Sequence, residues 1–193
     1  MFYLVRHGET PWSLTGKHTG LTDIHLTHNG REQAKSLKPI LKNIVFEQIW
    51  CSPLVRAIET CKLTGFGDRA EIMRELTEWD YGDFEGITSA EIRKKKPNWN
   101  VFLQGAPHGE SPKKVQARVL VILKRMNTTQ GNILIFSSAH ILRALTACFL
   151  EQKISFGKNL SLQTASLSML GYEHQKPAIK LWNWATSHRF PGA

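Results

Sequence analysis

Three short apolar runs, at residues 1–5, 48–51 and 132–137, each lead out of a strand-like stretch into turn chemistry, with helical periodicity further on. The run at 132–137 is nearly continuous, as expected of a strand in a parallel sheet covered on both faces. Strands alternating with helices predict a layered α/β fold with a mostly parallel central sheet flanked by helices. In such sheets ligands bind beyond the carboxy ends of the strands. His7, Arg56 and His140 each fall just past such an end, so local spacing alone converges on one pocket.

The rest of the chain fills in this plan. Residues 8–26 form a long polar loop rich in Gly, Thr and His, and a loop of that length in a compact domain is usually functional. Thr27 reads as the cap of a helix carrying Ala34, Leu37, Leu41 and Ile44, with Pro39 placed to kink or shorten it. Ser52 and Pro53 suit a cap and first helical position, and Gly65 suits the stop. That puts Arg56 in a first helical turn, against the helix dipole, which hints at a role beyond stability. Residues 70–73 read as a short strand. The stretch 76–86 is too rich in Gly and aromatics for an ordinary helix. Thr88 to Glu91 spells a capping box. Ser111-Pro112 opens a helix whose stripe, Val115, Val119, Ile122, Leu123 and Met126, is core. A helix is expected over about 140–150, edge strands at about 166–172 and 178–184, and a surface tail from Ala185.

With 193 residues and no repeat, linker or low-complexity segment, one domain spanning 1–193 is expected. No stretch approaches the 18 or so apolar residues of a membrane helix, and the amino terminus lacks the pattern of a secretory signal. Cys51, Cys61 and Cys148 form no C-x-x-C pair, which suits a reduced, cytoplasmic protein with buried thiols. The net charge of +9 favours acidic partners. The run Arg93 to Lys96 beside Trp99 matches a basic helix end better than a nucleic-acid surface, since cations complement a helix carboxy terminus.

The segment Arg6-His7-Gly8-Glu9-Thr10 carries the chemistry. Gly8 allows close backbone approach to a ligand, Arg6 presents a planar fork to phosphate oxygens, and a neutral His7 is a competent nucleophile toward phosphorus. A lone histidine after a strand is ordinarily structural; its neighbours set this one apart. The spacing from Gly8 to Gly16-Lys17 is too long for a phosphate-binding P-loop. His25 and His28 lack partners at metal spacing and read as surface residues. No metal and no cofactor are expected.

The string Arg6 to Ser13, followed by Gly16 to Asp23, resembles the signature of the histidine phosphatase superfamily, the phosphoglycerate-mutase-like enzymes. It is most similar to the branch of sugar-bisphosphatases and broad-specificity acid phosphatases. Ser52-Pro53-Leu54-Val55-Arg56-Ala57-Ile58-Glu59-Thr60 repeats another family motif in full, and the likeness extends to at least Tyr172. The resemblance implies a three-layer sandwich in which Arg6 and Arg56 bind phosphate and His7 is the nucleophile. It makes Glu78 the proton donor to the leaving group, with Glu85 and Asp80 structural, and Gly109-Glu110-Ser111 a turn near the pocket. A donor must stay protonated near neutral pH, which an apolar wall such as Trp79 favours. Thr19 and Gly20 match substrate-contacting positions, and Thr10, Ser13, Ser138 and Ala139 complete the expected substrate-binding set.

Two positions depart from the family pattern. Ser13 replaces a frequent Asn, a mild change within this branch. Ser137-Ser138-Ala139-His140 stands where relatives usually read Ser-His-Gly-His, so Ser138 replaces the second active-site histidine. In an extended segment His140 would point the same way as Ser138 and take over part of its role. In a helix, amides near Ser138 and Ala139 would favour an anion instead. The remaining possibility is that His140 only packs or caps. The expected function is hydrolysis of small phosphosugars through a phosphohistidine, with a small phosphorylated substrate, no nucleic acid or membrane partner, and a homodimer allowed. The alternatives are a phosphoglycerate mutase, disfavoured by the short segment 86–111, and a weakened phosphate-ester-binding regulator, suggested by Ser138.

Overall fold

The structure, a computed structural model, describes residues 1–185. Six strands form one sheet: β1 (Phe2–Arg6), β2 (Gln48–Cys51), β3 (Glu71–Ile72), β4 (Ile133–Ser137), β5 (Leu167–Glu173) and β6 (Lys176–Trp184), in the order β3-β2-β4-β1-β5-β6. The first four are mutually parallel, and β5 and β6 add antiparallel to β1. The helices are α1 (Pro11–Leu14), α2 (His28–Leu41), α3 (Val55–Leu63), α4 (Ser89–Lys95), α5 (Val101–Gln104), α6 (Pro112–Thr128) and α7 (Ala139–Phe149).

The continuous apolar runs are explained by the alternation of the pleat. Phe2, Leu4, Ile133 and Ile135 face one layer, packing with Val115, Val119 and Ile122 of α6 and Leu142 and Leu145 of α7. Tyr3, Val5, Leu134 and Phe136 face the other, packing with Leu37 and Leu41 of α2 and Ala57 and Cys61 of α3. Both faces are buried, giving the expected three layers.

Several local expectations are corrected. The loop at 8–26 contains α1, capped by a reciprocal box between Thr10 and Ser13, and Lys17 bridges to Thr88. α2 stops at Leu41, two residues after Pro39, leaving Ile44 outside it. Ser52 does not cap α3. Leu54 is still extended, and the first helical amide, Val55 N–H, donates to Asp23 Oδ1 at 2.7 Å. β5 is not an edge strand, because β6 covers it. Trp99 is core, with its Nε1–H on the Gly105 carbonyl, so no exposed aromatic accompanies the basic run at the end of α4. Cys51 and Cys61 are buried, whereas Cys148 is half-buried. The expected surface tail lies outside the described residues beyond Ala185. No helix among the described residues is long and apolar enough to cross a membrane.

Candidate active site

β1 and β4 run side by side with Arg6 opposite Ser137, and the His7 amide donates to the Ser137 carbonyl at 2.9 Å. The two strand ends thus open into the same space, a cavity of about 180 Å³. Arg6, His7, Glu78 and His140 line it, together with Ser13, Thr19 and Ala139. Thr10, Gly20, Arg56 and Ser138 do not.

The nucleophile candidate is wired by its own turn. His7 Nδ1 lies 2.7 Å from the Gly8 carbonyl, which requires the proton on Nδ1 and leaves the Nε2 lone pair free. Burial, and then the charges of Arg6 and Arg56, hold the imidazole well below its ordinary value, so it is neutral at physiological pH. Gly8 also has a packing reason: a side chain there would meet the Gly30 carbonyl oxygen at 2.3 Å, so glycine is needed to seat the turn on the start of α2. The Gly8 amide donates to Thr60 Oγ1 at 3.0 Å, which ties the same turn to α3.

Both arginines serve partly as clamps. Arg6 donates through Nη1 to the Leu162 carbonyl. Arg56 is fully buried and donates to the carbonyls of Thr19, Gly20 and Thr22 at 2.8–3.0 Å, pinning the loop that forms one cavity wall. Gly20 belongs to that wall: its amide donates to Glu85 at 2.8 Å, and a side chain on it would meet the Trp79 carbonyl oxygen at 2.5 Å. Burial draws Arg6 down to about 10, still cationic at neutral pH. Among the described residues, the Nε atoms of Arg6 and Arg56 and the hydroxyl of Ser138 are buried without a hydrogen-bond partner. An unpaired buried polar group costs on the order of 1–3 kcal/mol, and of these three residues Arg6 is the one that lines the cavity, where an anion would meet its charge.

Glu78 departs from expectation. Its carboxylate accepts from the amides of His140 and Ile141 at 2.9 Å each and from Trp79 at 2.8 Å. His140 and Ile141 are the second and third residues of α7, the amides that a capping side chain normally takes. Ser138, at the cap position, makes no such bond. Glu78 therefore caps α7 from a distant loop. Burial alone would raise its carboxyl, but the adjoining His140 ring and the hydrogen bonds from the amides of His140 and Trp79 outweigh that and bring it down to about 2. Glu78 is thus ionised at rest, and Trp79 contributes an amide donor rather than a merely apolar wall. The Gly109-Glu110-Ser111 turn braces this loop: Glu110 pairs with Arg118 at 2.7 Å, and Arg118 donates to the carbonyls of Glu75 and Thr77. Glu85 and Asp80 accept backbone amides within the same region, the structural roles expected of them.

His140 lies in the first turn of α7, so the extended geometry that would have aligned it with Ser138 does not occur. It nonetheless lines the cavity, with Tyr81 OH 2.6 Å from its Nδ1. Sequence reasoning missed Lys17, His18, Tyr81 and Arg143, which also line the space. Arg143 stands three residues after His140, a helical spacing that signals a shared face. His18, drawn down to about 4 by burial and then by His140, is neutral and bonds Ser89 Oγ at 3.0 Å. Among the described residues, no group of three or more His, Cys, Asp or Glu is placed to hold a metal ion.

Comparison with known proteins agrees with this architecture. The model of the histidine phosphatase superfamily (branch 1) matches residues 2–185. An acid phosphatase of Mycobacterium tuberculosis is 37% identical over 89% of this chain and 86% of its own length. Sedoheptulose 1,7-bisphosphatase of Saccharomyces cerevisiae is 32% identical over 75% of this chain and 65% of its own. A solved structure of an open reading frame from M. tuberculosis superposes with a TM-score of 0.90 at 33% identity, covering 96% of this chain and 97% of that one. The chain therefore belongs to the histidine phosphatase superfamily, as a phosphoric monoester hydrolase.

Proposed function

We propose that the enzyme hydrolyses small phosphosugars through a phosphohistidine on His7. The observation that carries this reading is the state of His7: neutral, its Nδ1–H committed to Gly8, and its Nε2 lone pair available at a cavity that the cationic Arg6 also lines. Nε2 attacks phosphorus and the ester P–O bond breaks, while Arg6 holds the phosphoryl oxygens and Arg56 holds the loop that walls the cavity. The leaving oxygen needs a proton. Because Glu78 is ionised at rest, that proton arrives with the monoanionic form of the substrate and passes through Glu78 to the leaving group. Water then attacks phospho-His7, Glu78 takes its proton, and inorganic phosphate departs. Ser13, Thr19 and Ala139 line the cavity as substrate contacts, and Thr10, Gly20 and Ser138 shape it from outside. A cavity of about 180 Å³ fits a small phosphoester better than a polymer, and similarity to an acid phosphatase and a sugar bisphosphatase supports the substrate class. Three free cysteines favour a reducing, cytoplasmic location.

The test is phosphate release in EDTA from p-nitrophenyl phosphate and a panel of phosphosugars, with His7→Ala alongside. Turnover that disappears in the variant, with an acid-labile phosphoramidate trapped on the wild type, supports the reading. Binding of these esters without turnover would replace it with a phosphate-ester-binding regulator.

A further inference from the structure

We infer that Tyr81 is a positioning residue that fixes the tautomer of His140, so that His140 presents an Nε2–H donor to an anion in the cavity. This rests on the reading of that cavity as the phosphoester site. Tyr81 is fully buried, and among the described residues its hydroxyl has one hydrogen-bonding partner, His140 Nδ1, at 2.6 Å. A buried hydroxyl with a single partner at hydrogen-bond distance is satisfied by placing its hydrogen there. The phenol is held well above its ordinary value, first by burial and then by the Glu78 charge, so it remains a donor. Burial likewise keeps His140 neutral. Nδ1 therefore accepts, and the ring proton belongs on Nε2. Among the described residues Nε2 has no hydrogen-bond partner, yet it is not among the buried unpaired atoms, and the residue lines the cavity.

Packing holds the ring in this setting. His18 and Phe102 flank it with centroids 5.9 and 5.4 Å away, and the His140 amide is tied to Glu78. The Glu78 carboxylate is also the competitor for the tautomer. Its Oε2 lies 3.7 Å from Nδ1, too far for a hydrogen bond while Tyr81 occupies that nitrogen. Without the Tyr81 hydroxyl, the ring proton moves to Nδ1, facing Glu78, and Nε2 turns a lone pair toward the phosphoryl oxygens. A donor becomes a repulsive group.

The experiment is nitrogen–proton correlation NMR on histidine-labelled protein near pH 7, for wild type and Tyr81→Phe, with inorganic phosphate titrated into each. In the wild type, His140 is expected to carry its proton on Nε2. In Tyr81→Phe the proton moves to Nδ1, phosphate binding weakens roughly tenfold, as for loss of one hydrogen bond to a charged group, and kcat falls more than KM rises. A wild-type His140 protonated on Nδ1 would overturn the inference even if the variant failed to fold. So would a folded Tyr81→Phe protein with unchanged tautomer or unchanged phosphate affinity. If the tautomer and affinity respond as expected while the wild type turns over no ester, the hydrolysis reading fails and the wiring stands.

Discussion

At the end of β1, the His7 imidazole follows the strand directly, and its Nδ1 is held by the carbonyl of the next residue. At the end of β4, the imidazole comes one turn into a helix, and its Nδ1 is held by Tyr81, 59 residues away in the chain. The two ends are neighbours in register, yet one is wired locally and the other across the fold. The same contrast appears in helix capping. α1 and α4 are capped by their own boxes, at Thr10 and Thr88. The helices that follow β2 and β4 borrow carboxylates from distant loops: Asp23 serves α3, and Glu78 serves α7. Around the cavity, long-range partners have replaced local ones, so a movement of either loop would alter a helix end and the site beside it.

The largest test of this contrast is His7→Ala. Loss of a nucleophile that acts with its partners as a unit should reduce kcat by about 10³-fold or more, with thermal stability little changed. A variant retaining more than a tenth of wild-type turnover would show that the β1 end is not where the chemistry happens.

Glu78→Ala strikes the borrowed end. It removes a proton carrier, worth roughly 10²-fold in kcat, and uncaps α7, a change of about 1–2 kcal/mol. For a domain of this size that is a fall in Tm of roughly 2–8 °C. Glu78 also makes stability pH-dependent. Its folded value, about 2, is below the ordinary 4.5, so its stabilising contribution is present above 4.5 and is lost as pH falls toward 2. Glu78→Gln should therefore lose less Tm than wild type between those limits, and parallel melting curves would contradict the capping role.

The resting protonation states predict the pH profile. With His7 neutral and Glu78 ionised, the proton for the leaving group enters with the substrate, whose second pKa is about 6. kcat/KM should thus decline about tenfold per unit above pH ~6, and the break should move when the phosphoester is exchanged for one of different pKa. A break that stays put across substrates would assign it to an enzyme group.

The smallest expected loss is at Ser138. Among the described residues its hydroxyl has no partner, and it does not cap α7, so Ser138→Ala should bring no loss of stability and a gain of up to about 1–3 kcal/mol from removing an unpaired buried hydroxyl, against the roughly 1 kcal/mol loss at an ordinary capping serine. A loss, measured by denaturant titration, would mean that the hydroxyl takes part in a bond within the folded chain.

What could be read from the chain alone was whatever is encoded within a few residues. The nearly continuous apolar run at 132–137 announced a strand buried on both faces, the stripe of α6 announced its core side, and Thr88 with Glu91 announced a capping box. The Arg6-His7-Gly8 turn was legible for the same reason, since the group that fixes the His7 tautomer is the adjacent carbonyl. Tertiary structure decided what depends on partners remote in sequence. The start of α3 was misplaced because Asp23, rather than Ser52, takes its first amide. The protonation of Glu78 was misjudged because three amides reach it, two of them from a helix 60 residues on. His18, Tyr81 and Arg143 carry no local mark of function, and become part of the site only where the fold gathers them around His140. Periodicity and turn chemistry are short-range and survive in one dimension; hydrogen-bond assignment and electrostatics depend on distance in space, which the chain acquires only when it folds.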